Sequence, residues 1–335
     1  MGRYIHDQNK VAMTHESGTY SNSSGAAFWI GQVTENSIDD AENLIEGRYL
    51  GTATRSFSTM DQGPRDVTGT LTYNPQNFLG VFAAIGSVTD GASGTNVLHE
   101  ATEIQTDEPQ SAFTSGTLCP PRSFTLEDSK QTPGTGANFI RTINGVVANS
   151  TEITATQGEK ITVSTEYIGQ TLTFSSGTTT SITEDTTTPY LWSSASLTLD
   201  GESIETAKEI NLTINNNMEA PHYLNGSRDI STPFPGNREN TLSVTIDLSA
   251  SDGKKLYRDL YKTNTEFNGV FDLNQDVDAT GSQHAIFTLS GCRVTSMENP
   301  SANEGVTEST VEIAYESLSA QEWTSSEAGI KYNPW

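Results

Sequence analysis

What most limits the fold open to this chain is a repeat inside it. Residues 54–66 read TRSFSTMDQGPRD and residues 227–239 read SRDISTPFPGNRE, in one gapless register at an offset of 173. Arg55 falls on Arg228, Ser58 on Ser231, Thr59 on Thr232, Gly63 on Gly236, Arg65 on Arg238, and Asp66 on the acidic Glu239. Shared composition does not produce that many coincidences at one spacing, and a repeat has to be recognised before any element is assigned. The chain is therefore expected to use one unit twice.

The flanks agree in physical character where the letters differ. Val67, Gly69, Leu71 and Tyr73 alternate after the first copy, and Leu242, Val244, Ile246 and Leu248 after the second, the period-two pattern of a half-buried strand. A helix follows each strand. Asn74-Pro75 opens NFLGVFAAIG, with Phe78, Phe82 and Ile85 on one face and Gly86 ending it. Ser251-Asp252 supplies capping oxygens ahead of GKKLYRDLYK, with Leu256, Leu260 and Tyr261 together. Extended stretches precede the copies, FWIGQVTENSIDD and AKEINLTINNNME. Closing hairpins follow, FIRTINGVVANS to KITVSTEYIG and AIFTLSGCRVTS to STVEIAYESL, with Tyr167 and Tyr315 in matching places. Asp200-Gly201 marks a tight hairpin at the start of the second unit.

These signals give a mainly β chain of two tandem domains, each with one flanking α-helix. The expected division is a first domain over 1–172 with an insertion near 87–135, a Thr/Ser-rich linker or edge strand over 173–190, and a second domain over 191–335. At 335 residues and 33% hydrophobic content the chain can bury a core in each. With only 18% charged residues, strands and polar turns are favoured over amphipathic helices.

A formal charge of −24 repels phosphate, so tight nucleic-acid binding by counterion release is excluded as a primary function. Passage of DNA past a non-adhesive wall remains compatible with it. Only eight of the 18 basic residues are Lys, and excess carboxylate with scarce Lys suits a protein kept soluble in concentrated salt, which makes a halophilic source an expectation. Cys119 and Cys292 cannot form a disulfide framework. No apolar run reaches the length of a membrane span, so no membrane partner is expected.

The sequence holds no complete catalytic or ligand motif. His6, His15, His99, His222 and His284 have no metal-binding spacing, and no nucleophile elbow or P-loop occurs. Asp272, Asn274, Asp276 and Asp278 imitate the start of a calcium loop, but Val277 stands where the turn glycine belongs and Gln283 where the twelfth-position Glu belongs. No enzyme activity, cofactor or metal is expected.

Residues 226–261, GSRDISTPFPGNRENTLSVTIDLSASDGKKLYRDLY, and their echo at 46–82, EGRYLGTATRSFSTMDQGPRDVTGTLTYNPQNFLGVF, resemble the tail tube proteins of long-tailed viruses. The resemblance implies a β-sandwich or barrel with a helix, closing with its neighbours into a continuous barrel around a lumen. It also implies a virion tail protein assembled in the host cytoplasm, with other tail proteins at the tube ends and viral DNA passing without tight binding. Family members commonly form six-membered rings of one domain per chain. Two units per chain then point to a pseudo-hexameric ring of three chains, with a hexamer as the alternative. Rings must stack, and Arg55, Arg65, Arg228 and Arg238, which can make bidentate carboxylate pairs, are the candidates for inter-subunit or inter-ring contact or, alternatively, for pinning their own loops. A tail-tip, adhesin or surface-layer binding protein would share the Thr-rich β composition, but it needs neither the matched helices nor the equivalent copies.

Overall fold

The computed structural model describes residues 10–16, 23–47, 59–93, 96–102, 121, 123–131, 138–177, 179–180, 182, 187–248, 255–275, 283–297 and 308–325. The first half carries β1 (Lys10–Glu16), β2 (Ser23–Phe28), β3 (Gly31–Gly47), β4 (Thr59–Pro75), α1 (Leu79–Ile85), β5 (Ser87–Ser93), β6 (Asn96–Thr102), β7 (Phe124–Gln131), β8 (Asn138–Thr156), β9 (Thr162–Gly169) and β10 (Thr171–Ser175). After a single 3-10 turn at Trp192–Ser194 come β11 (Ala195–Leu199), β12 (Glu202–Ser203), β13 (Ala207–Asn215), β14 (Met218–Glu219), β15 (Phe234–Pro235) and β16 (Glu239–Asp247). A helical turn at Lys255–Tyr261 then leads to β17 (Phe267–Asn274), β18 (Gln283–Met297), β19 (Glu308–Ala314) and β20 (Ser317–Ser325).

A central antiparallel sheet runs β3-β4-β9-β8-β13-β16-β19-β18. Its first four strands and its last four follow one order. Two outer sheets cover it, β2-β1-β7-β8-β10 over the first half and β12-β11-β17-β18-β20-β6-β5 over the second. The long strands β8 and β18 belong to an outer sheet at their N-terminal ends and to the central sheet at their C-terminal ends. Each turns the corner at a glycine with positive φ, Gly145 at 63° and Gly291 at 66°. Opposite each corner the ladder skips a residue, between Phe124 and Leu126 in β7 and between Phe267 and Gly269 in β17. Such bulges bend a strand without breaking its pairing.

Register keeps the spacing of the repeat. Leu71 lies opposite Thr165 and Val244 opposite Val311, so β4 and β16 correspond at the offset of 173, while β8 and β18 correspond through Gly145 and Gly291 at 146. The ladder also shifts at matching points of β3 and β13, between Val33 and Glu35 and between Ala207 and Glu209. Tyr167 and Tyr315 do not share a register. Tyr167 corresponds to Ile313 and Tyr315 to Gly169, although each hydroxyl reaches across the adjacent strand to donate to the one beyond it, at Ser37 O of β3 (3.1 Å) and Thr213 O of β13 (3.0 Å).

Alternate residues of the central sheet build the core, with Leu71, Tyr73, Ile153, Val163, Leu212, Leu242, Val244, Val311 and Ile313 all buried. Every residue of α1 is buried. A helix apolar on all sides is stable only inside protein, and seven residues would not hold a helix alone. The second helix departs from the expected α geometry. Over Lys255–Tyr261 it is a π-helix, and beyond it Lys262 N reaches Tyr257 O and Thr265 N reaches Leu260 O, five residues back. Leu256 and Leu260 are buried, and Tyr257 and Tyr261 are half-buried against the core.

The stretch expected as an insertion near 87–135 divides into unlike parts. β5 and β6 form a hairpin that extends the outer sheet of the second half by pairing β6 with β20. Phe124–Gln131 is β7, an integral sandwich strand. The start of the 173–190 stretch, residues 173–175, completes the edge strand β10 (Thr171–Ser175).

Candidate assembly interface and polar face

On the side of the central sheet away from the core, every second residue is polar: Glu35, Ser37 and Asp39 on β3; Thr68, Thr70, Thr72 and Asn74 on β4; Ser164 and Glu166 on β9; Glu152 and Thr154 on β8. The pattern continues with Glu209, Asn211 and Thr213 on β13, Thr241, Ser243, Thr245 and Asp247 on β16, and Glu308, Thr310 and Glu312 on β19. Hydroxyls tie the strands together, Ser243 Oγ donating to Glu312 Oε1 at 2.8 Å and Ser37 Oγ accepting from Thr70 N at 3.1 Å. Carboxylates dominate the charge. The cations Lys208 and Arg293 stand at the margins, paired with Glu308 at 2.6 Å and Glu266 at 2.8 Å. Between β3, β4 and β9 the face is concave, lined by Ser37, Asp39, Thr68, Thr70 and Glu166.

The two halves join edge to edge on this sheet. β8 pairs with β13 from Ser150–Asn215 to Thr156–Glu209, the last strand of the first set meeting the first strand of the second. The same two kinds of edge stand at the sheet's ends. Among the described residues β3 pairs only with β4, and the C-terminal part of β18 only with β19. An exposed edge is a template for another chain.

The arginines of the repeat cluster where the halves touch. Arg65 makes a bidentate pair with Asp40, at 2.7 and 2.8 Å, which holds that carboxyl below its ordinary range and raises the guanidinium further. Arg65 N also donates to Arg228 O at 2.8 Å. Arg228 in turn reaches Gly63 O at 2.9 Å, Gln62 Oε1 at 3.0 Å and Glu42 at 3.7 Å. The long β3–β4 hairpin of the first half is thereby fastened to the 220–231 loop of the second. Beyond the fastening, Leu44, Ile45 and Met60 are more than half exposed.

Arg238 works on the helix of the other half. Its guanidinium donates to Ala84 O (3.0 Å), Ile85 O (2.9 Å) and Asn216 Oδ1 (2.8 Å), and Asn216 Nδ2 donates to Ala84 O and Ala148 O. These groups satisfy carbonyls that every helix leaves open at its C-terminus. At the opposite end Glu322 of β20, fully buried, accepts from Phe78 N at 2.9 Å and Tyr190 Oη at 3.3 Å. Phe78 itself meets Phe287 edge-on at 5.2 Å. The helix of the first half is thus capped and roofed by the second.

The chain matches one family model, phage tail tube protein, over residues 10–317. The chain belongs to the phage tail tube protein family. It is accordingly a structural tail tube protein, a component of the virion tail. No curated protein is significantly similar to it.

In this tail tube protein three of the four arginines singled out by the repeat make contacts within the chain, and Arg55 lies outside the described residues. Of the acidic loop, Asp272 Oδ1 accepts from His284 Nε2 at 2.8 Å, and Asp276 and Asp278 lie outside the described residues. Among the described residues no group of three or more His, Cys, Asp or Glu is placed to hold a metal, and no helix is long and apolar enough to cross a membrane. Glu322 and Asn216 went unnoticed in the sequence. Nothing local marks an acid or amide whose partner is a helix end more than a hundred residues away.

Proposed function

We propose that the chain duplicates one tail-tube unit and closes head-to-tail into rings of three, which stack into the conduit for viral DNA. The carrying observation is the β8–β13 junction, where one unit already pairs with the next through a heterologous edge contact. Such a contact repeats until it closes. Transferring its register to the ends of the sheet brings Ser296 of β18 opposite Ala41 of β3 in the next copy. The resulting barrel of three chains, at about 4.8 Å per strand for about 24 strands, measures about 115 Å around, or about 37 Å across before tilt widens it. That suits a duplex, whereas a ring of six chains would be about twice as wide.

The acidic and neutral polar face then lines the lumen and repels the phosphate backbone. Arg65 and Arg228 act on stacking by holding the β3–β4 pair, whose exposed Leu44, Ile45 and Met60 contact the next ring. The division into units at 1–172 and 191–335 follows the same reading, as do other tail proteins at the tube ends, assembly in the host cytoplasm and a halophilic, haloarchaeal source. Electron microscopy of purified protein over a salt series tests it. Hollow filaments with a ring repeat, and three chains per ring by mass, are expected. Discrete monomers under every condition would favour a tail-tip or surface-layer binding protein instead.

A further inference from the structure

One face of the first outer sheet carries side chains unsuited to solvent. Phe174 of β10 is 56% exposed, and its ring lies 5.7 Å from that of Phe139 on β8, itself 37% exposed. Beside them Arg141 pairs with Asp128, its Nε 2.9 Å from the carboxylate.

The second outer sheet shows what such a face does. The register of β10 on β8 and of β20 on β18 matches Phe174 to Ala320, Phe139 to Ala285 and Arg141 to Phe287, at the offset set by the corner glycines. Those three counterparts are fully buried. The sheet that carries them roofs α1, with Phe287 against Phe78 and Glu322 on its first free amide. A face at this place in the fold seats on the helix of the preceding unit.

For the first half of a chain, the preceding unit is the second half of another copy. The helix there, Lys255–Tyr261, is only partly covered, with Tyr257 and Tyr261 half-buried, whereas α1 is enclosed on all sides. Tyr257 and Tyr261 lie 5.9 Å apart, with Lys262 Nζ about 5 Å from both rings. Aromatic side chains with polar tips suit an interface that forms from two folded surfaces. We propose that the Phe139–Phe174 face of one copy docks on the Lys255–Tyr261 helix of a second copy, forming the outer layer of the contact between chains. This rests on the head-to-tail reading above, and it places a second, independent contact outside the barrel seam.

Paired cysteines test it directly. In a background of Cys119→Ser, the double variant Phe174→Cys with Tyr257→Cys, assembled and then oxidised, should give chains linked to one another, running as closed trimers at completion, whereas either single variant gives at most pairs. Phe174→Asp should melt within a few degrees of wild type, since the site is exposed, yet need at least tenfold more protein to form tubes. Double-cysteine tubes without cross-links, or Phe174→Asp tubes at the wild-type concentration, would overturn this docking while leaving head-to-tail rings intact. Wild-type protein that makes no rings at all would overturn the head-to-tail reading and this inference with it.

Discussion

At the scale of single residues, the arginines separate by what they hold. Arg238 satisfies carbonyls at the end of a buried helix, so Arg238→Ala takes the side-chain donor from Ile85 O and from Asn216 Oδ1, while Ala84 O keeps its bond from Asn216 Nδ2. Leaving buried polar groups unpaired costs about 1–3 kcal/mol, and a drop of that size is expected in urea unfolding, whereas Arg228→Ala, on a partly exposed loop, should lose under about 1 kcal/mol and impair tube growth instead. Tubes of normal length from Arg228→Ala would remove its role in stacking. Asp40 adds a pH dependence. Its pairing with Arg65 lowers the folded-state pKa below that of the unfolded chain, so its contribution is present above the usual carboxylate range and is lost as pH falls through the folded value. Melting temperature between pH 5 and 2 should therefore fall less steeply in Asp40→Asn than in wild type. Cys292 behaves oppositely to a reactive thiol: burial pushes it up to about 11. In Cys119→Ser protein, a thiol reagent at neutral pH should react slowly until denaturant is added.

At the scale of elements, the corners of β8 and β18 are the positions where backbone conformation dictates the residue. A Cβ on Gly145 would meet the Gln170 side chain at 2.8 Å, and one on Gly291 would meet Glu316 at 2.6 Å, both at positive φ. Gly145→Ala and Gly291→Ala should each cost about 1–2 kcal/mol, readable as a lower denaturation midpoint. A loss at only one would mean that the two corners are not equivalent. Much of this level was legible in the sequence. Alternation at Leu242, Val244 and Ile246 and at Ile210, Leu212 and Ile214 located β16 and β13, because a sheet with one buried face writes its period into the chain. The closing hairpins were visible for the same reason. The first copy of the repeat is paired strand from Thr59 onward, with Pro64 beside the register shift of the β3–β4 ladder, where a proline is tolerated. The π-helical turn was not legible, since Leu256 and Leu260 serve an α-helix equally well. Nor was the pairing of β6 with β20, which joins residues more than two hundred apart and leaves no local mark. Of the contacts proposed between chains, sequence offered the arginines but neither the open sheet edges nor the aromatic faces.

At the scale of the whole molecule, the question is how chains this acidic associate at all. Each carries a formal charge of −24, and closing three into a ring gathers that charge on a shared lumen and rim. The contacts proposed to join them are backbone ladder bonds and aromatic packing, which salt does not weaken, while the repulsion opposing them is screened over about 10 Å at 0.1 M ionic strength and about 3 Å at 1 M. Assembly should therefore be promoted by salt. Pelleted tube mass at fixed protein concentration is expected to rise steadily from 50 mM to 1 M sodium chloride and to fall again on dialysis. A seam held mainly by ion pairs across chains would respond in the other direction, dissolving as salt rises, because exposed pairs are screened along with the repulsion. The sign of the salt dependence thus distinguishes a ring closed by sheet edges and aromatic faces from one closed by charge.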